Sequence, residues 1–249
     1  MIKNSLEYLF QRRVRVMMDE QKKTNVLRQG VAAAWPICLG YFPLGLALGV
    51  LAQKAEIPWW AVAMMSVLVF AGSAQFICVA MLAAGASMPA IILTTFFVNL
   101  RHVLMSSALA VYLQGVSRRF LALYSYGVTD ESFAVNLTRF RAGAWDRWRA
   151  LIVNHLANSV WILATICGTL VGQFVPPGAL GIDYALTAMF ICLLVLQLQG
   201  AIYLLTAVIA GALAVVWYLT IPGDSYIVGA SISAATMGYI LKRRLRREP

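Results

Sequence analysis

A succession of long apolar segments, nearly free of charge and separated by turn residues, constrains this chain more than any other feature. A helix that spans a bilayer needs about 20 mostly apolar residues. Segments of this kind lie at about 31–52, 58–82, 89–113, 150–172, 182–198, 200–220 and 224–241, with a weaker one at 120–138. The stretches between them carry turn chemistry: Gln53 to Pro58, Gly85 to Pro89, Gln114 to Arg119, Pro176-Pro177-Gly178 and Pro222-Gly223-Asp224. Only 12% of the residues are charged, against about 25% in soluble domains. A mean hydropathy of +0.77 leaves no room for a sizeable soluble unit. The fold class is therefore an all-α integral membrane protein, a polytopic helical bundle.

The formal net charge is +10, which in a soluble protein would suggest nucleic acid. Its placement says otherwise. Sixteen of the 20 basic residues fall in three short stretches: residues 3–28, Arg139 to Arg149, and Lys242 to Arg247. Short basic loops beside apolar spans are topology signals, retained on the cytoplasmic side. Residues 1–29 thus read as a basic cytosolic arm, 30–241 as the transmembrane domain and 242–249 as a basic cytosolic tail. The arm is expected as an amphipathic helix on the membrane surface, through Leu6, Leu9, Phe10, Val14 and Met17, or as a plain extension.

Two cytoplasmic termini require an even number of crossings. Seven strong segments are odd, so 120–138 is expected to cross too, giving eight spans. The cost is Arg118 and Arg119 on the outside. If 120–138 re-enters instead, the count is seven. Trp35 to Gly49 resembles Trp161 to Gly172, and Trp60 to Met64 resembles Tyr184 to Met189. These echoes raise a parallel repeat of four plus four spans, or chance likeness between apolar sequences.

Charges inside the segments are costly and usually have a reason. Arg101 lies twelve residues past Pro89, roughly 18 Å along a helix and near the midplane. Asp130 and Glu131 sit midway along the weak segment, at the same depth. The arrangement reads either as a structural ion pair or as a site for a zwitterion. In the second case Arg101 takes a carboxylate and Asp130 or Glu131 an ammonium. Asn99, Thr129 and His102 add hydrogen-bonding groups, and His102 or either acid is a candidate for carrying a proton. Gly72, Ser73 and Gln75 form a second polar cluster, suited to close helix packing or to a broken helix facing a solute. Pro36 and Pro43 predict a kink or an unwound stretch in the first segment. The four cysteines lie in apolar runs at unrelated spacings and read as small buried hydrophobes; no metal or cofactor site is expected.

Three strings, taken in order, resemble the AzlC family: Phe70 to Phe76 (FAGSAQF), Asn99 to Met105 (NLRHVLM) and Thr129 to Ala134 (TDESFA). The resemblance covers roughly residues 26–245. It implies the large subunit of a two-component exporter of branched-chain amino acids such as valine. It also implies a small AzlD-type membrane partner forming a heterodimer, an inner-membrane location, and coupling to protons. The chain carries no G-x-x-x-x-G-K-[ST] pattern, so ATP hydrolysis is not expected. Competing readings are an intramembrane hydrolase built on Ser73 with His102 or His155, and a channel or non-transporting scaffold. The site residues are therefore expected to bind an amino acid, without catalysis.

Overall fold

The computed structural model describes residues 2–143 and 145–176, helix 201–220, and scattered positions between 184 and 243; for residues 2–23 it describes the backbone alone. Among the described residues the elements are helices: α1 Ile2–Lys54, α2 Trp59–Leu68, α3 Gly72–Ala83, α4 Met88–Ala110, α5 Arg118–Tyr126, α6 Asp130–Arg141, α7 Arg147–Gly172 and α8 Ala201–Thr220. Four contain a stretch long and apolar enough to cross a membrane: α1, α4, α7 and α8. The chain is a multi-pass helical membrane protein.

α1 and α7 form the ridge on which the rest is built. A Cβ added to Gly49 would stand 2.2 Å from the Thr165 carbonyl oxygen, and one on Gly168 2.2 Å from that of Leu46. Backbones can approach this closely only where side chains are missing. Contacts follow in the same order along both helices, from Gly30 against Ile152, through Gly45 against Ala164, to Gly172 against Val50. The two helices therefore run parallel, as equivalent members of a repeat would. The counterparts of α2 and later elements in the second half lie largely outside the described residues.

Two sequence expectations for α1 change. Its backbone stays helical through Pro36 and Pro43. Each proline removes one N–H, and both sit on the exposed face, opposite the packed Ala33, Ala34, Ile37, Tyr41 and Leu48. The arm is neither a separate surface helix nor an irregular extension, because it continues α1 from Ile2. A helix of 53 residues is about 80 Å long, against about 30 Å of bilayer core.

The segment 120–138 does not cross. The chain turns back between α5 and α6 at residues 127–129. Phe120, in the first turn of α5, meets Trp148 at 5.3 Å between ring centroids. Phe140, in the last turn of α6, stacks on Tyr112 at 5.2 Å. Both open ends therefore lie with the C-terminus of α4 and the N-terminus of α7. This is the basic end of the bundle, which holds Arg118, Arg119, Arg139, Arg141, Arg147 and Arg149.

The segment 58–82 turns back as well, from the opposite end. Trp59 lies with Gln53 and Thr169, at the C-terminal ends of α1 and α7. The chain breaks at residues 69–71, and Ser73 meets Arg101 of α4. From there α4 runs toward the basic end, so its start at Met88 is about 20 Å toward the opposite end. α3 returns there over its ten remaining residues to reach the short 84–87 connection. At 10 and 12 residues, α2 and α3 are about 15 and 18 Å long, half a bilayer core each. Two re-entrant hairpins thus enter from opposite ends, and their tips meet: the Tyr126 hydroxyl donates to the Val67 carbonyl, and the Phe70 and Tyr126 rings lie 6.4 Å apart.

Candidate functional site

Each hairpin tip frees backbone groups that a continuous helix would satisfy. At the first tip Phe70 has φ +36°, a left-handed conformation that is costly for a bulky residue and persists only where the surroundings enforce it. The enforcement is ring packing: Phe70 is buried and stands edge-on to Tyr41 at 6.3 Å. α3 then starts at Gly72 without a side-chain cap, since its N-cap is Ala71. At the second tip α6 is fully capped. The Thr129 hydroxyl accepts from Ser132 N, and Ser132 Oγ accepts from Thr129 N at 2.9 Å. Its first turn is acidic, Asp130 and Glu131, as the partial positive charge of a helix N-terminus favours.

Between the tips lies a cavity lined by residues from five helices and the two breaks. Arg101 of α4 joins the hairpins across it. Its Nη1 stands 2.9 Å from Asp130 Oδ2, and its Nη2 donates to Ser73 Oγ. Glu131 turns the other way. Its Oε2 accepts from the Tyr41 hydroxyl at 2.5 Å, and the same hydroxyl lies 2.7 Å from Thr129 Oγ1. His102 Nδ1 is 2.8 Å from the Val128 carbonyl, so the imidazole donates to a carbonyl freed by the second break. Its Nε2 is buried and has no partner among the described residues. Leu44, Phe70 and Trp161 supply an apolar wall. The cavity has about 40 Å³, room for a few waters rather than an amino acid. A larger solute requires the lining to move.

Of the residues singled out from sequence, Arg101, His102, Thr129, Asp130, Glu131, Gly72 and Ser73 line this cavity together. Gln75 and Asn99 do not. Gln75 is buried behind the wall, donating to Ser66 Oγ at 3.0 Å and accepting from Trp161 Nε1 at 2.8 Å. Ser66 in turn meets Thr165 Oγ1 at 2.9 Å, which ties α2 and α3 to α7. Asn99 is not among the lining residues, and its buried Oδ1 has no partner among the described residues. Ser73 Oγ is held by Arg101, and among the described residues neither His102 nor His155 bonds to it, so the pairing a hydrolase would need is not formed. Sequence reasoning missed Tyr41 and Trp161. Tyr41 lies between the two prolines of an apolar run, and nothing in the chain announces its contact with Glu131.

A family model described as "AzlC protein" matches residues 36–175. That is more than half of the chain and includes every cavity-lining residue; the chain belongs to the AzlC family. A protein of Archaeoglobus fulgidus described as an uncharacterized membrane protein is 28% identical, over 87% of this chain and 95% of its own. Inner membrane protein YgaZ of Escherichia coli is 29% identical, over 78% and 82%. The branched-chain amino acid transport protein AzlC of Bacillus subtilis is 25% identical, over 85% and 84%. No solved structure matches the chain.

Proposed function

We propose that this AzlC-family chain exports branched-chain amino acids such as valine across the inner membrane, coupled to protons, as the large subunit beside a small AzlD-type membrane partner. The relatives' names supply the substrate class and the membrane. The observation that carries the reading is the Arg101–Asp130 pair with Glu131, held where the tips of two opposed hairpins meet. A zwitterion with one apolar group matches this lining. The carboxylate goes to Arg101 and Ser73 beside the uncapped start of α3, the ammonium to an acid of α6, and the side chain to Leu44, Phe70 and Trp161. Irregular backbone at membrane depth that lines a cavity is how many transporters build solute sites.

The hairpins then act as gates. α5–α6 closes the basic, cytoplasmic end and α2–α3 the outer end. This orientation places Arg118 and Arg119 inside with the other basic loops and removes the violation that an eight-span arrangement carries. α1, α4 and α7 leave the chain outside at residue 172. α8 is a further crossing, while the apolar segments 182–198 and 224–241 lie largely outside the described residues. The described residues thus give four crossings and two hairpins.

The test is efflux of preloaded valine from cells expressing this chain with and without its small partner. Export that requires both chains and fails with Arg101→Gln supports the reading. Unchanged efflux in the variant, or no export by the pair, sinks it.

A further inference from the structure

The two adjacent acids of α6 are not equivalent, and their difference assigns the coupling. Asp130 has a guanidinium 2.9 Å away, so its charge is already balanced. The polar contact that Glu131 makes to another helix is the neutral hydroxyl of Tyr41. Among the described residues no Lys, Arg or His nitrogen lies within ion-pairing distance of Glu131, whereas Asp130 and Asp146 each have a partner. An unbalanced carboxylate at membrane depth is costly and is relieved by a proton or by a cation. The titratable and charged groups facing Glu131 are Tyr41 from α1, Arg101 and His102 from α4, and Asp130 beside it. Ser73 from α3 and Trp161 from α7 carry no charge.

Resting on the transport reading above, we propose that a proton and the ammonium group of the substrate compete for the Glu131 carboxyl, while Asp130 stays with Arg101 and takes no part in the exchange. In the empty site Glu131 carries the proton. When an amino acid binds, its ammonium takes the Glu131 oxygens and the proton leaves. A net-neutral zwitterion enters and a proton leaves, so the loaded site is one unit more negative than the empty one. After the substrate leaves outward, a proton from outside restores the acid. One zwitterion out for one proton in moves one positive charge inward. Export is thus driven by membrane potential as well as by the pH difference.

Titration calorimetry tests this on the full chain with its small subunit, using L-valine in two buffers of different ionisation enthalpy between pH 5 and 8. The charge of valine is constant across that range, so protons exchanged come from the protein. The expected result is release of close to one proton per valine at the acidic end, with affinity weakening about tenfold per pH unit there. Isobutylamine, which keeps the ammonium alone, should show the same release, and isovalerate, which keeps the carboxylate alone, should show none beyond what its own ionisation supplies at the acidic end. Glu131→Gln should still bind isovalerate, reporting an intact fold, while losing proton release. Asp130→Asn should bind more weakly and still release a proton. Release that survives Glu131→Gln, or that disappears with Asp130→Asn, overturns the proposal. Valine binding by the unaltered protein without any proton release also overturns it and leaves the transport reading standing. Failure of the unaltered protein to bind or export valine sinks that reading instead.

Discussion

The two re-entrant hairpins are built alike and furnished differently. Each is a pair of half-length helices broken over three residues, and each is tied to α7 by a buried amide. In α2–α3 that amide is Gln75, linked to Ser66 and Trp161. In α5–α6 it is Asn136, whose Nδ2 donates to Asn154 Oδ1 at 2.9 Å and whose Oδ1 accepts from Trp145 Nε1 at 3.0 Å. The tips diverge. The first offers an uncapped helix start and a hydroxyl; the second carries two carboxylates on a start already capped by Thr129 and Ser132. The first tip suits the substrate's anionic end and the second its cationic end, with Arg101 joining them. Polar residues alone do not mark a site, because the buried amides of both hairpins are spent on bracing.

Arg101 is where this comparison breaks most readily. Arg101→Gln removes the charged side chain that bonds to both tips, Asp130 on one and Ser73 on the other. Losing a partner from a pair sunk in a membrane costs about 3 kcal/mol or more, on the order of 100-fold in an equilibrium. Valine efflux should fall by at least that factor, and a smaller drop would show that the tips work independently. Next in size is the ridge that carries both hairpins. Gly49→Val places side-chain atoms where the Thr165 carbonyl already stands. Overpacking costs about 1–3 kcal/mol, so the melting temperature in detergent should fall. An unchanged value would mean the α1–α7 crossing is looser than described.

The braces sharpen the contrast. Gln75→Ala strands the buried indole N–H of Trp161 and removes a donor from Ser66, at about 1–3 kcal/mol. It should lower thermal stability and leave the pH dependence of transport as it was. A changed pH profile would put Gln75 in the chemistry and blur the difference between brace and site. The smallest effect is expected at the second cap. Thr129→Ala should cost about 0.5–2 kcal/mol, and Thr129→Ser should recover most of it, read as thermal stability. Equal loss in both variants would show that the methyl group, not the hydroxyl, matters there.

The depth of Arg101 was legible because it follows from residue count along a helix; Asp130 was set at the same level on the premise of one span over 120–138, and it meets Arg101 instead from the tip of a hairpin. The break near Gly72 was one of two readings left open, and the structure has it. The turning back of 58–82 was not legible, and that of 120–138 stood only as the alternative to a crossing. Hydropathy measures apolar length, and two half-helices of 10 and 12 residues with no proline between them present the same length as one span. The placing of Phe140 beside Tyr112 is a tertiary fact. One trace did exist: Arg118 and Arg119 fit badly outside, and a hairpin removes the misfit. Tyr41 left no trace, since a buried tyrosine in an apolar run reads as packing until its partner is known.

The account rests on the hairpins entering from opposite sides, and cysteine labelling in a cysteine-free background tests this most directly. Gln114→Cys and Ala142→Cys flank α5–α6; Ala55→Cys and Ala84→Cys flank α2–α3. With a membrane-impermeant maleimide, the first two should react only in inverted vesicles and the second two only in intact cells. Labelling of Gln114→Cys and Ala142→Cys from opposite sides would mean that the segment between them spans the membrane, and would contradict the architecture on which the site is built.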